Sequence, residues 1–481
     1  MIVDLSPGEL PDVAADLFGQ GYRIALVSAA VAGAGYRLVY LFMGSGPARR
    51  TELHVHLDRP AVPSLAALSF PAGRFEREIR DLYGITPEGH PLPRRLVRHH
   101  HWPRGWYPML PAAGPPPDFG DPEGPYPFRE VEGDGVYEIP VGPVHAGMIE
   151  PGHFRFSVVG ETILKLKARL WFVHKGVEQL FEGRRPEGAL PLAERVSGDT
   201  SVGHALAYCL AVEEATGTPV DPEAQRGRAI LLELERLYNH VTDLGALCND
   251  VAHSVLQSHC GSVREQLLRI NAEVTGHRLL RGGVRLGGAH LRRLPDLDRL
   301  ALLRAELEEI VGLALGHGVV SDRFTGTAVL TRQAATDLGT LGYVARASGL
   351  DQDARRDHPF VDLGPFPVAR RATGDVLARF QVRADEIATS IALITHLCST
   401  TPEWRLHDVP RGSGVGIVEG WRGTIVHRIE LAPDGTITRA KLADPSFFNW
   451  PALPVALGGA IVPDFPLVNK SFNLSYAGND L

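Results

Sequence analysis

Glu194–Glu213, ERVSGDTSVGHALAYCLAVE, organises the reading of this chain, together with a second short piece near its end, Asp444–Trp450, DPSFFNW. Around the first piece the pattern turns helical, from about Leu192 onward. Ile230, Leu234, Leu237, Val241, Leu244 and Leu247 recur at three and four residues and predict one long amphipathic helix; Leu300–Leu315 and Asp385–Leu397 predict others. The core of this part is therefore expected to be a helix bundle. Packing of such apolar stripes explains these leucines, so none of them argues for a cofactor.

Upstream, alternation in HFRFSVVG, a turn at Gly160 and alternation again in ILKLKARLWFV predict a β-hairpin ahead of the helices. The loop before it, Gly142–His145 (GPVH), has the small residues that let backbone come close to a ligand. Residues 111–135 are dense in Pro, Gly and acids without periodicity, which marks a linker. Before that linker, Tyr22–Ser28, Tyr36–Phe42 and Thr51–Leu57 read as strands, with hairpin turns at Gly33–Gly35 and Gly44–Pro47. From Phe75 onward, acids and arginines alternate on a short helix that reads as a solvated, charged face, followed by a basic loop. His99–His101 lie in that loop, where adjacent residues do not converge on one ion. The expected class is α+β: a small N-terminal α/β domain (1–110), the linker (111–135), and a mainly helical bundle with peripheral antiparallel strands (136–481).

Composition limits the function. With 481 residues, 44% hydrophobic and 22% charged, the chain can bury a large core. A formal net charge of −7 gives no support to a nucleic-acid partner, which calls for a basic stripe. Cys209, Cys248, Cys260 and Cys398 include no CxxC spacing, so neither a structural zinc nor a self-held iron–sulfur cluster is expected. No export signal is apparent at the N-terminus. Trp450–Val468 is roughly long enough to span a bilayer, but Pro451, Pro454, Pro463 and Pro466 would break a spanning helix repeatedly. Membrane attachment is thus expected through partners.

Two groups of motifs resemble a known family. Glu76–Arg95, with DLYGI and GHPLPRR, is similar to the end of the thirty-kilodalton (C) subunit of respiratory complex I, a docking module without a cofactor. GPVHAGMIEPGHFRF, VHKGVEQL, ELERLYNHVTDLG, RGGV and GIVEGWRGTIVHRI resemble the forty-nine-kilodalton (D) subunit and the large subunit of group 4 nickel–iron hydrogenases. In those hydrogenases cysteines occupy the positions of Ser197 and Thr200 in the first motif and of Ser446 and Asn449 in the second. All four are substituted here. Nickel and low-spin iron need soft, deprotonated sulfur, and Ser, Thr and Asn supply only un-ionised hydroxyls and a hard amide oxygen. No metal centre and no hydrogenase activity are therefore expected.

The resemblance implies a polar ligand cavity formed by Ser197, Gly198, Thr200, Ser446 and Asn449, with His145, Asp199 and His204 handling protons. Gly198 stands where complex I carries its quinone-contacting tyrosine, whereas His145 matches the other quinone-side residue, so the resemblance implies only half of that quinone site; the occupant expected of the cavity is quinone or another redox ligand. The tail NKSFNLSYAGNDL and the cysteine-free motifs look most like the large subunit of energy-converting-hydrogenase-related complexes. The implied partners are a small subunit holding an iron–sulfur cluster, a ferredoxin-like iron–sulfur subunit and antiporter-like membrane subunits. The implied location is the cytoplasmic face of the membrane. Electron transfer from the partner cluster, coupled to ion translocation, is one expected role. The other is a scaffold in which Glu150, Glu178, Arg195, Glu419 and Arg422 form a conformational link, since buried ion pairs can switch when one member is protonated.

Overall fold

The computed structural model describes residues 1–47, 49–120, 124–146, 149–400 and 412–481. Strands Arg23–Ala32, Gly35–Met43 and Arg50–Leu57 pair antiparallel, the first two across a turn at Gly33. Ile2–Leu5 adds a strand parallel to Arg50–Leu57 at the sheet edge.

The helix Phe70–Tyr83 lies against this sheet. Ser69 caps its start by accepting from the Ala72 amide, and a left-handed Gly84 ends it. Its alternating charges read as a solvent face, but every residue except Phe70 and Arg80 is buried. Each buried charge has an internal partner. Lys441 Nζ reaches both Glu78 oxygens at 3.0 and 2.9 Å. Asp81 accepts the amides of Leu96, Val97 and Arg98 at 2.7, 2.8 and 3.1 Å. Glu76 accepts from the Leu65 amide at 2.6 Å, and Arg74 donates to Phe447 O and Asn479 Oδ1. The helix faces the rest of its own chain, and its charges fasten the two together.

Beyond residue 135, strands Val136–Val141, His153–Val159 and Thr162–Arg169 form an antiparallel meander, one strand more than the hairpin expected. A second antiparallel sheet, Ser413–Gly420, Gly423–Leu431 and Ile437–Ala443, is buried at the centre of the domain rather than at its edge. The helix Ser201–Thr216 packs on it so closely that a Cβ at Gly416 would come within 1.8 Å of Ala207 O. The long helix runs Pro222–Asp250, with Ser254–Thr275, Leu297–Gly316 and Val376–Ser399 completing the bundle. Trp450–Val468 is no single helix: Ala452–Ala456 and the start of Phe465–Phe472 flank a short 3-10 turn at Val462–Asp464. Among the described residues no helix is long and apolar enough to cross a membrane.

Candidate functional site

The turn Arg195–Thr200 leads into the helix Ser201–Thr216, whose first amides need an acceptor. Glu235 of the long helix supplies it, accepting from Val202 at 2.6 Å and Gly203 at 2.9 Å. Glu235 is fully buried, and its carboxyl is pushed up to about 8, by burial first; the two amides pull it down and Asp199 pushes it up further. The fold therefore favours the protonated acid. Stability falls as pH rises from the ordinary value of 4.5 towards about 8 and levels off above it. Glu235→Gln is expected to flatten that window, so that the urea midpoints at about pH 5 and about pH 9 move closer together than in the wild-type chain.

Arg422 clamps Asp199 with two parallel bonds, Nη1–Oδ1 and Nη2–Oδ2, both 2.7 Å. Asp199 Oδ1 also accepts from Ser197 and Thr200, each at 3.0 Å. The guanidinium lies 4.0 Å over the Trp421 ring, and its Nε donates to Asn473 O at 2.6 Å. Burial pushes the Asp199 carboxyl up, but Arg422 and the two hydroxyls outweigh it and hold the group below its ordinary value. Asp199 is thus an ionised anchor at neutral pH rather than a proton carrier. Its side chain is 40% exposed, and a Cβ added at neighbouring Gly198 would meet nothing within 4 Å. This is the open side of the site.

On the buried side, Asp444 Oδ2 pairs with His204 Nε2 at 2.9 Å, and His204 Nδ1 with His427 Nε2 at 3.0 Å. Because a carboxylate accepts, His204 carries its proton on Nε2 and takes the His427 Nε2–H at Nδ1. Burial, then His204, keeps His427 well below the ordinary histidine value. Its Nδ1 is buried and has no partner among the described residues, so the line of three ends on a bare proton acceptor.

The four motif positions come together, but their polar groups are spent on the protein. Ser197 Oγ lies 2.8 Å from Ser475 Oγ, and Ser446 Oγ accepts the Ser475 amide at 3.0 Å. Asn449 clamps the Leu341 backbone, accepting its amide at 2.8 Å and donating to its carbonyl at 3.1 Å. Thr200 Oγ1 accepts from Trp421 Nε1 at 3.1 Å. His145 stands apart: its Nε2 donates to Gly152 O at 2.8 Å. Among the described residues it connects to the site through ring packing, from Phe154 to Trp450, and then through the Trp450 indole, which donates to Ser475 O at 3.0 Å.

The five coupling charges do not form one network. Arg195 is exposed and reaches its own turn, donating to Pro191 O at 2.7 Å and lying 3.9 Å from Glu194. Glu150 accepts the Ala477 amide at 3.1 Å. Glu178 binds Arg439 at 2.7 Å and Lys441 at 2.9 Å, beside Glu78 of the N-terminal part. Arg422 belongs to Asp199. Glu419 opens a larger buried system that the sequence reading missed. Arg346 joins it at 2.7 Å to Glu386, also 2.7 Å away. Glu386 further takes His240 at 2.8 Å and Arg236 at 3.3 Å, while Glu233 takes Arg355 at 3.1 Å. The available signal was Glu233, Arg236 and His240 at helical spacing on a stretch with no polar face to spare.

Residues 250–408 match the family described as respiratory-chain NADH dehydrogenase, 49 Kd subunit, and residues 3–112 match its 30 Kd subunit. The chain is 33% identical to formate hydrogenlyase subunit 5 of Escherichia coli (strain K12) over 447 residues, covering 89% of this chain and 78% of that one. It is 30% identical to the fused C/D chain of the NADH-quinone oxidoreductase of Phocaeicola vulgatus over 422 residues, 80% of each. The chain belongs to the large-subunit family shared by complex I and the group 4 hydrogenases. A chain of an archaeal membrane-bound sulfane sulfur reductase has the same fold, with a TM-score of 0.64 at 23% identity, covering 72% of this chain and 99% of that one.

In this large subunit the donor set does not fit the nickel–iron centre of the hydrogenases. The motif positions present hydroxyl and amide oxygens already engaged in hydrogen bonds. Burial pushes the Cys248 and Cys260 thiols up to about 12 and Cys209 higher still, opposite to what a thiolate ligand needs.

Proposed function

We propose that this chain is the peripheral large subunit of a membrane-bound, complex I-like oxidoreductase without a nickel–iron centre, in which electron transfer from an iron–sulfur partner is coupled to ion movement. The observation that carries the reading is the contrast within one site. The former ligand positions are closed on protein groups, while the Asp199–Arg422 pair stays half-open beside the free space at Gly198. A redox ligand, quinone among the candidates, sits over Gly198 against that pair. His204 and His427 behind it hold and pass protons.

Partners of the expected kinds, an iron–sulfur small subunit, a ferredoxin-like subunit and antiporter-like membrane subunits, supply the clusters and the membrane anchor at the cytoplasmic face. Supporting this, one relative is named membrane-bound hydrogenase subunit alpha, of Pyrococcus furiosus, 30% identical over 365 residues and 85% covered. Metal analysis of the purified complex tests the first half of the reading: iron in cluster amounts, no stoichiometric nickel and no hydrogen evolution from a reduced dye are expected. One nickel per large subunit would sink it.

A further inference from the structure

A cavity of about 490 Å³ lies where the N-terminal sheet and its helix meet the bundle, and neither Asp199 nor Arg422 lines it. Its size falls in the range of small-molecule pockets, roughly 300–1,000 Å³. Phe18, Tyr22, Leu68, Pro71, Leu350 and Phe448 give it apolar walls. His358 fastens its rim by donating from Nε2 to Gly44 O at 2.9 Å.

The charges in the wall are unevenly committed. Asp353 is taken by Arg355 at 2.6 Å, Asp357 by Arg356 at 3.0 Å, Asp351 by Arg356 at 2.7 Å, and Asp337 accepts from Gln333 at 2.7 Å. The Arg23 side chain alone among these has no hydrogen bond and no ion pair among the described residues; Glu419 and Asp357 act on its guanidinium only from farther off. A partly buried cation facing a cavity, with acids nearby but none paired to it, carries a desolvation cost that is only partly compensated. An oxyanion arriving with its own apolar body removes that cost, and a guanidinium binds carboxylate or phosphate through two parallel bonds.

We infer that this cavity is a binding site for a small anion, a carboxylate or phosphate on an apolar body, held by Arg23. The site bridges the N-terminal part and the bundle. Its inner wall includes Thr424, whose hydroxyl donates to Glu419 at 2.9 Å, so an occupant lies one contact from the buried charge system. Burial lowers the Arg23 pKa ahead of the raising influence of Glu419 and Asp357, in keeping with a missing counter-ion.

Calorimetry on the purified complex with benzoate, phenyl phosphate and neutral benzamide tests the site. Benzoate or phenyl phosphate is expected to bind at least about tenfold tighter than benzamide, and the better of the two identifies the headgroup. Arg23→Gln is expected to erase that preference while the melting temperature of the free protein stays the same or rises. Equal binding of benzamide, no saturable binding of either anion, or undiminished anion binding by Arg23→Gln would each overturn the assignment. If Arg23→Gln fails to accumulate, hydrogen exchange on the wild-type complex decides. Protection by benzoate confined to residues 21–24 and 335–358 supports the site, and protection elsewhere or none rejects it.

Discussion

Replacing Glu386 with alanine is expected to cost the chain about 3–5 kcal/mol, the scale for removing one partner from a buried ion pair. Glu386 is 0% exposed and accepts from Arg346, Arg236 and His240 at 2.7, 3.3 and 2.8 Å. Alanine leaves two guanidinium groups in the interior, Arg346 with Glu419 and Asp353, and Arg236 with Glu233, as their remaining acids. Against a typical domain stability of about 5–15 kcal/mol, that loss is a large fraction of the total. Urea unfolding of the purified chain, followed by circular dichroism, reads it. Glu308→Ala, which removes only the exposed Arg304–Glu308 pair at 2.8 Å, is expected to cost no more than about 1 kcal/mol in the same assay. Equal midpoints for the two variants would show that the network does not hold the bundle.

The same carboxylate sets an acid limit. Burial pushes Glu386 up, but Arg346, His240 and Arg236 together hold it well below the ordinary value of 4.5. A depressed acid contributes stability that is present above its unfolded value and is lost as pH falls through the folded one. Its share of the stability is therefore lost below about pH 4.5, and Glu386→Gln removes that part of the acid slope.

What could be read from the sequence followed from periodicity. Period-two alternation placed the strand Arg50–Leu57, a short apolar run between turn residues placed Gly35–Met43, and three-and-four spacing placed the helix Pro222–Asp250. Periodicity assumes that charge faces water, and here that assumption fails twice. Helix Phe70–Tyr83 is buried because its partners, Lys441 and Asn479, come from the far end of the chain. Glu233, Arg236 and His240 are buried because Arg355, Glu386 and Arg346 arrive from other elements. The site was legible as residue types and illegible as bonds. His204 was read from its motif, but its line to Asp444 and His427 joins three segments that no local pattern connects. Ser446 and Asn449 were read as cavity groups, whereas their bonds to the Ser475 amide and the Leu341 backbone are main-chain contacts, and side-chain spacing carries no information about those.

Asp199→Asn is expected to lower turnover of the assembled complex by about 100-fold while the partner clusters are still reduced, a loss on the scale of a misplaced proton-handling or ligand-orienting group. Asparagine keeps the shape and one acceptor for Arg422 but removes the charge that the two 2.7 Å bonds hold. Arg422 then turns its unmatched charge towards the open side, and its remaining bond to Asn473 O keeps the backbone in place. The Asp199 side chain is 40% exposed but Arg422 is only 4% exposed, so the unmatched guanidinium is expected to cost some stability, and the urea midpoint of the variant checks that the fold survives. Gly198→Leu is the companion: its side chain enters free space, so the fold holds while the ligand is displaced, raising KM with kcat less affected. Together the variants separate the two roles open to this large subunit. If both leave electron transfer intact and only Asp199→Asn abolishes ion movement, the pair is a conformational link and no redox ligand sits over Gly198. If electron transfer falls in both, by kcat in one and by KM in the other, the open side of the Asp199–Arg422 pair is where the electrons leave the protein.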